Sequence, residues 1–130
     1  MVALSRGQIK RNAEGIDITV MSSVGMAKNW APTWELVMGH KTGSIDDNAY
    51  AFAYGALLRL VPDDAWMWLE EQTNELNEVT LLCYCRPDKF CHTHLVALYA
   101  QYLLPAVFQC ATNPPETITQ TNWYIELAEA

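Results

Sequence analysis

Positive charge is scarce in this sequence. Lysine and arginine total 8 against 15 aspartates and glutamates, a formal net charge of −7 over 130 residues. Broad, non-specific nucleic-acid binding neutralises many phosphates at once, so that class of function is not expected. Nor does any stretch approach the roughly 20 uninterrupted apolar residues that a membrane-spanning helix requires. The opening residues, Met1 to Arg11, lack the apolar centre of a secretory signal, and the expected localisation is cytoplasmic, without membrane association. There is no internal repeat and no low-complexity tract. Cysteine is limited to 4 residues, three of them between positions 83 and 91. With no export signal, that crowding reads as reduced thiols or metal ligands rather than a disulfide framework.

Apolar material is plentiful: 51% of the chain is hydrophobic, with 5 Trp, 6 Tyr and 3 Phe. That composition suits a single domain over residues 1–130 with an aromatic core or an aromatic-lined pocket. The core is expected over about residues 15–110, with residues 1–13 as a polar, basic lead-in arm and residues 115–130 as a C-terminal extension. Alternation and β-branching from Gly15 to Met21 predict a strand, and the loop after it, from Ser22, lies where α/β sheets build sites. Pro32 suits the first position of a short helix ended by Gly39, and Asp46-Asp47-Asn48 caps a second helix running to about Leu60. Pro62 opens a third helix through roughly Asn77, with a solvated acidic face. The apolar run Val79 to Tyr84 predicts a buried strand, residues 91–104 a helix stopped by Pro105, and residues 106–110 a last short strand. Strands alternating with helices give the fold class: a small, single-domain α/β protein with a short, mostly parallel sheet flanked by helices.

Reactive side chains concentrate between Cys83 and His94, where a strand turns through Arg86-Pro87-Asp88-Lys89 into a helix. Such a join leaves unpaired N–H groups and the positive end of a helix dipole beside thiols and imidazoles. Three chemistries fit. A zinc or iron site would use Cys83, Cys85, Cys91 and His92, although the spacing departs from the usual paired elements. His92 and His94 diverge by about 200° on a helix, so not all five donors converge. A thiol nucleophile at Cys83, Cys85 or Cys91 would be activated by the helix start and by Arg86 or Lys89. That geometry has a superficial likeness to the C-x5-R loop of phosphatases and to rhodanese-type sulfur transferases, but Lys89 stands six residues after Cys83, Cys91 stands six after Cys85, and neither place holds an arginine. An anion pocket would take its charge from Arg86, Lys89 and the N–H groups of residues 91–94. Cys83 is otherwise a small apolar residue in a buried strand. His40 reads as an isolated, structural histidine, and Trp30, Trp34 and Trp123 either pack the core or form a stacking surface.

The run Leu81-Leu82-Cys83-Tyr84-Cys85-Arg86-Pro87-Asp88-Lys89-Phe90-Cys91-His92-Thr93-His94-Leu95 resembles the family catalogued as domain of unknown function 488. Members of that family have a strand ending in Leu-Cys, a short polar loop, and Cys-His-Arg opening an apolar helix. Weaker likeness extends through Ile16-Asp17-Ile18-Thr19 and Ala31-Pro32-Thr33-Trp34 to the compact bacterial and phage members. The resemblance implies one α/β domain with the motif at the edge of its sheet. Thr93 stands where the family has arginine, so that arginine's anion-holding role does not carry over, and Arg86 is the available substitute.

The expected function is therefore binding of a small anionic or nucleotide-like ligand. Cys91 and His92 would supply any catalysis, and Arg86, Lys89, Thr93, Cys83, Cys85, Ser22 and Trp30 would contact the ligand. Whether the protein is an enzyme stays open at this point, and no cofactor is named by the sequence. Two other expectations stand beside it: a non-catalytic interaction protein, of phage type, whose acidic surface meets a basic host partner, and a zinc- or iron-binding domain.

Overall fold

The computed structural model describes residues 1–11, 14–86 and 89–115. Its elements run β1 (Val2–Gln8), β2 (Ile16–Asp17), a 3-10 helix (Gly25–Trp30), α1 (Trp34–Thr42), α2 (Asp47–Leu58), α3 (Asp63–Glu71), β3 (Glu78–Cys83), α4 (His92–Leu103) and β4 (Phe108–Cys110). The sheet order is β2-β3-β1-β4, and every pairing is parallel. This is a small α/β domain. No helix among the described residues is long and apolar enough to cross a membrane.

The largest departure from expectation is at the start of the chain. Residues 2–8 are not a lead-in arm but an interior strand, bonded to β3 on one side and β4 on the other. Val2 and Leu4 point into the core while Ser5, Arg6 and Gln8 are half-buried, and it was the polar and basic members that disguised the strand. The expected strand over residues 15–21 shrinks to two residues at the sheet edge. Its cause is Asp17, whose Oδ1 accepts hydrogen bonds from the Thr19 N–H at 2.9 Å and the Thr19 hydroxyl at 2.7 Å, turning the chain away from the sheet.

Helix ends follow local chemistry. The Thr33 hydroxyl caps α1 by accepting from the Leu36 N–H at 3.2 Å, and Gly43, with φ 85°, closes it in the left-handed conformation. The helix passes through Gly39 instead of stopping there; glycine stands at that position because a side chain would collide with Ile45, which packs against the helix backbone. Asp46 caps α2 through the Ala49 N–H at 2.8 Å. Helix α3 ends at Glu71, short of Asn77, since the Asn74 carboxamide accepts from the Leu76 and Glu78 N–H groups and forms a turn into β3.

One core cluster joins Val2 and Leu4 of β1, Val79 and Leu81 of β3 and Phe108 of β4 to the apolar residues of α4 and to Trp30, Tyr54, Trp66 and Leu69. Trp30 is fully buried, edge-on to Trp66 at 5.4 Å and stacked on Trp68 at 6.1 Å. It belongs to the core and not to a ligand surface, which corrects its assignment as a binding residue. The C-terminal residues 116–130, including Trp123, lie outside the described residues, as do Pro87 and Asp88 of the expected turn.

Candidate functional site

Strand β3 ends at Cys83, the chain bends through Tyr84 and Cys85, and regular structure resumes at His92 with Cys91 extended before it. The Cys91 side chain does not cap its helix. Its sulfur instead turns back to Cys83, with Sγ to Sγ at 2.8 Å, longer than a disulfide bond and inside ordinary sulfur contact. The sulfurs of Cys83, Cys85 and Cys91 all lie within 4.8 Å of one another.

The cation at these sulfurs comes from β1. Arg6 pairs in register with Leu81, two residues before Cys83, so Arg6 and Cys83 share one face of the sheet. Its guanidinium spans the site: Nη2 donates to the Cys83 sulfur at 2.8 Å and to the Cys85 carbonyl at 2.6 Å, and Nε donates to the Thr93 hydroxyl at 3.2 Å. Thr93 is thus fully buried as an anchor for Arg6.

These donors decide which sulfur is ionised. Donation from the Cys85 and Cys91 thiols, with Arg6 beside them, outweighs the cost of burial and holds Cys83 far below the ordinary thiol range. Cys85 is pushed up chiefly by its hydrogen bond to Cys83, and burial, with the separate hydrogen bond that Cys91 makes to Cys83, raises Cys91 to about 11. Of the three sulfurs, Cys83 is therefore the one whose thiolate form is favoured. That differs from the sequence reading, which made Cys91 the reactive thiol.

His92 is neutral and its tautomer is fixed. Nε2 lies 2.8 Å from the Ile18 carbonyl, an acceptor only, so Nε2 carries the hydrogen and Nδ1, 3.6 Å from the Cys91 sulfur, presents a lone pair. Burial lowers its pKa. Beside it, burial tends to raise Asp17, but hydrogen bonds from Ser22 and Thr19 reverse this and hold the carboxylate ionised.

A cavity of about 150 Å³ opens against these groups, bordered by Cys83, Cys85, Cys91 and His92 and by aromatic side chains, among them Trp34, Tyr50 and Phe90. Lys41 is the one Lys or Arg among its described lining residues. A family model described as the active DUF488-N3 subclade matches residues 4–102. The chain belongs to the DUF488 family. No curated protein and no solved structure matches it.

Of the site residues expected from sequence, this DUF488 chain brings Cys83, Cys85, Cys91 and His92 to one cavity. Arg86 and Lys89 are exposed and do not line it. Ser22 also stands off its lining, held between the Asp17 carboxylate and, at 2.9 Å, the Tyr84 hydroxyl. Sequence reasoning missed Arg6 altogether. The available signal was the alternation Val2-x-Leu4-x-Arg6, which places all three on one face of a strand. As to metals, the three cysteine sulfurs are close enough to hold one ion, while His92 is not part of that mutually close set.

His94, on the same turn of α4, is fully buried, and among the described residues neither ring nitrogen has a partner at full hydrogen-bond geometry, the Lys89 backbone being a weak one. Burial and the nearby Arg6 push its pKa down to about 4, against the pull of the Cys83 thiolate and the Lys89 backbone. In the unfolded chain it titrates near its ordinary value of 6.5. As pH falls from 6.5 towards 4, the unfolded state takes a proton that the folded state refuses, so stability present above 6.5 is lost. At about 1.4 kcal/mol per decade, the full loss approaches roughly 3 kcal/mol. Melting temperature measured across this window is expected to drop with acidity, and to drop less steeply in His94→Leu; an equal slope in both proteins would show that His94 is not the cause.

Proposed function

We propose that this DUF488 protein is an enzyme of covalent catalysis in which the Cys83 thiolate attacks a small, flat, weakly charged electrophile. The observation that carries this reading is the placement of one sulfur at the cavity lining with a guanidinium nitrogen at 2.8 Å and a second thiol at 2.8 Å. Thiolates are nucleophiles where positive neighbours stabilise them, and a site of this kind is not needed for packing alone. The cavity is small for a whole nucleotide, below the usual range for drug-sized ligands, and its aromatic border suits a single ring of nucleobase kind. Its lining offers Lys41 as the counter-charge, not Arg86 and Lys89, so the ligand is ring-like before it is anionic. The matched subclade is described as active, which favours an enzyme over a passive binding module.

Limited alkylation with iodoacetamide at neutral pH, followed by peptide mapping, tests this. Cys83, only 1% exposed, is expected to be modified before the exposed Cys85 and the half-buried Cys110, and a saturating free nucleobase that fits the cavity is expected to protect it. Modification of Cys85 or Cys110 first, with Cys83 inert until the protein unfolds, would contradict the reading.

A second reading, a metal centre, is favoured by the convergence of the three sulfurs. Tetrahedral zinc at about 2.3 Å from each sulfur spaces them about 3.8 Å apart, so Cys83 and Cys91 would have to separate by about 1 Å, and Arg6 would face a divalent cation. Elemental analysis of the purified protein separates the two: roughly one metal ion per chain supports the centre, and metal-free protein with a reactive Cys83 supports the nucleophile.

A further inference from the structure

His40 borders the same cavity as Cys83, and it is not isolated in space. Its Nε2 lies 2.6 Å from Asp47 Oδ1, joining the last turn of α1 to the first turn of α2. The ring is also fixed from its sides, stacked on Phe90 at 4.7 Å and edge-on to Tyr50 at 5.4 Å, and both of those residues border the cavity. A carboxylate only accepts hydrogen bonds, so Nε2 carries the hydrogen and Nδ1 keeps the lone pair. A nucleophile and a base oriented by a third group are thereby placed around one hollow. Cys83 and His40 both border one hollow of about 150 Å³, on the scale of one small substrate.

We propose that His40, oriented by Asp47, is the general base that releases the covalent intermediate from Cys83, which makes the protein a hydrolase of small activated acyl compounds. This rests on the nucleophile reading and adds the second half-reaction to it. With 4-nitrophenyl acetate as probe, Cys83 Sγ attacks the carbonyl carbon, the ester C–O bond breaks and 4-nitrophenolate leaves, giving an acetyl thioester. Water then bonds to that carbon while His40 Nδ1 takes one of its protons. The C–S bond breaks, the electron pair returns to Cys83 as thiolate, acetic acid departs, and the imidazolium loses its proton to solvent. His40 is the catalytic residue here and Asp47 a positioning residue.

Stopped-flow release of 4-nitrophenolate tests the assignment. The full-length protein is expected to give a burst of one equivalent per chain, absent in Cys83→Ser, followed by steady turnover. In His40→Gln the loss is expected to fall on turnover, by at least about 100-fold, and not on burst amplitude. Asp47→Asn, which keeps the ring contacts of His40, is expected to lower turnover by at least about 10-fold with the burst intact, and carries the test if His40→Gln does not fold. Turnover at the native rate in both variants, or a native burst with no turnover, would overturn the role of His40 while leaving Cys83 as nucleophile. A protein with no Cys83-dependent burst would refute the nucleophile, and the dyad with it.

Discussion

Replacing Arg6 by alanine is expected to move the acid limb of Cys83 alkylation, the pH at which its rate falls away, upward by about 1 to 2 units. The guanidinium is the one full positive charge bonded to that sulfur among the described residues, and a hydrogen bond to a charged group contributes about 1.5–3 kcal/mol, which at about 1.4 kcal/mol per pH unit gives that displacement. The Cys91 and Cys85 thiols remain as donors, so the variant keeps its thiolate at neutral pH. Arg6→Lys keeps a charge but loses the fork that reaches Cys83, the Cys85 carbonyl and Thr93 together, and its acid limb is expected to fall between the two. An unmoved acid limb in folded Arg6→Ala would assign the stabilisation of the Cys83 thiolate to something other than this cation.

Removing residues 1–8 is expected to abolish folding. A basic arm would come away at little cost, whereas β1 stands between β3 and β4 and supplies both with backbone partners. Burial of Val2 and Leu4 alone is worth about 3–6 kcal/mol, against a total stability of about 5–15 kcal/mol for a domain. The orphaned ladder on both neighbours adds to the loss. Circular dichroism and the soluble yield of the truncated chain check this; a cooperative melt near that of the full chain would return residues 1–8 to the status of an arm.

What the sequence made legible was the joint between β3 and α4. There a continuous apolar run, a turn and an apolar helix follow one another, and the chemistry sits within a dozen positions. The boundaries of that strand and helix came within about a residue of those observed, because burial on both faces leaves little competition from local polar groups. Arg6 was hidden for the opposite reason. Its charge reads as solvent exposure in a one-dimensional pattern, while in the fold it is balanced by a thiolate 77 residues away. The same blindness to distant partners made His40 look isolated, since Asp47 meets it only after α1 ends and the chain reverses. Arg86 and Lys89 drew too much weight from their closeness in sequence to Cys85 and Cys91. Proximity along a turn does not aim a side chain, and both are exposed away from the cavity lining.

The most direct test of the account is a pH titration of thiolate ultraviolet absorbance, comparing the native protein with Cys83→Ser. One thiolate per chain is expected to persist from neutral pH well into the acid range, to be missing in Cys83→Ser, and to be followed on the alkaline side by Cys91 near pH 11. A native protein whose thiols all remain protonated at neutral pH, or whose neutral-pH thiolate survives in Cys83→Ser, would contradict the assignment of the charge to Cys83 and the chemistry built on it.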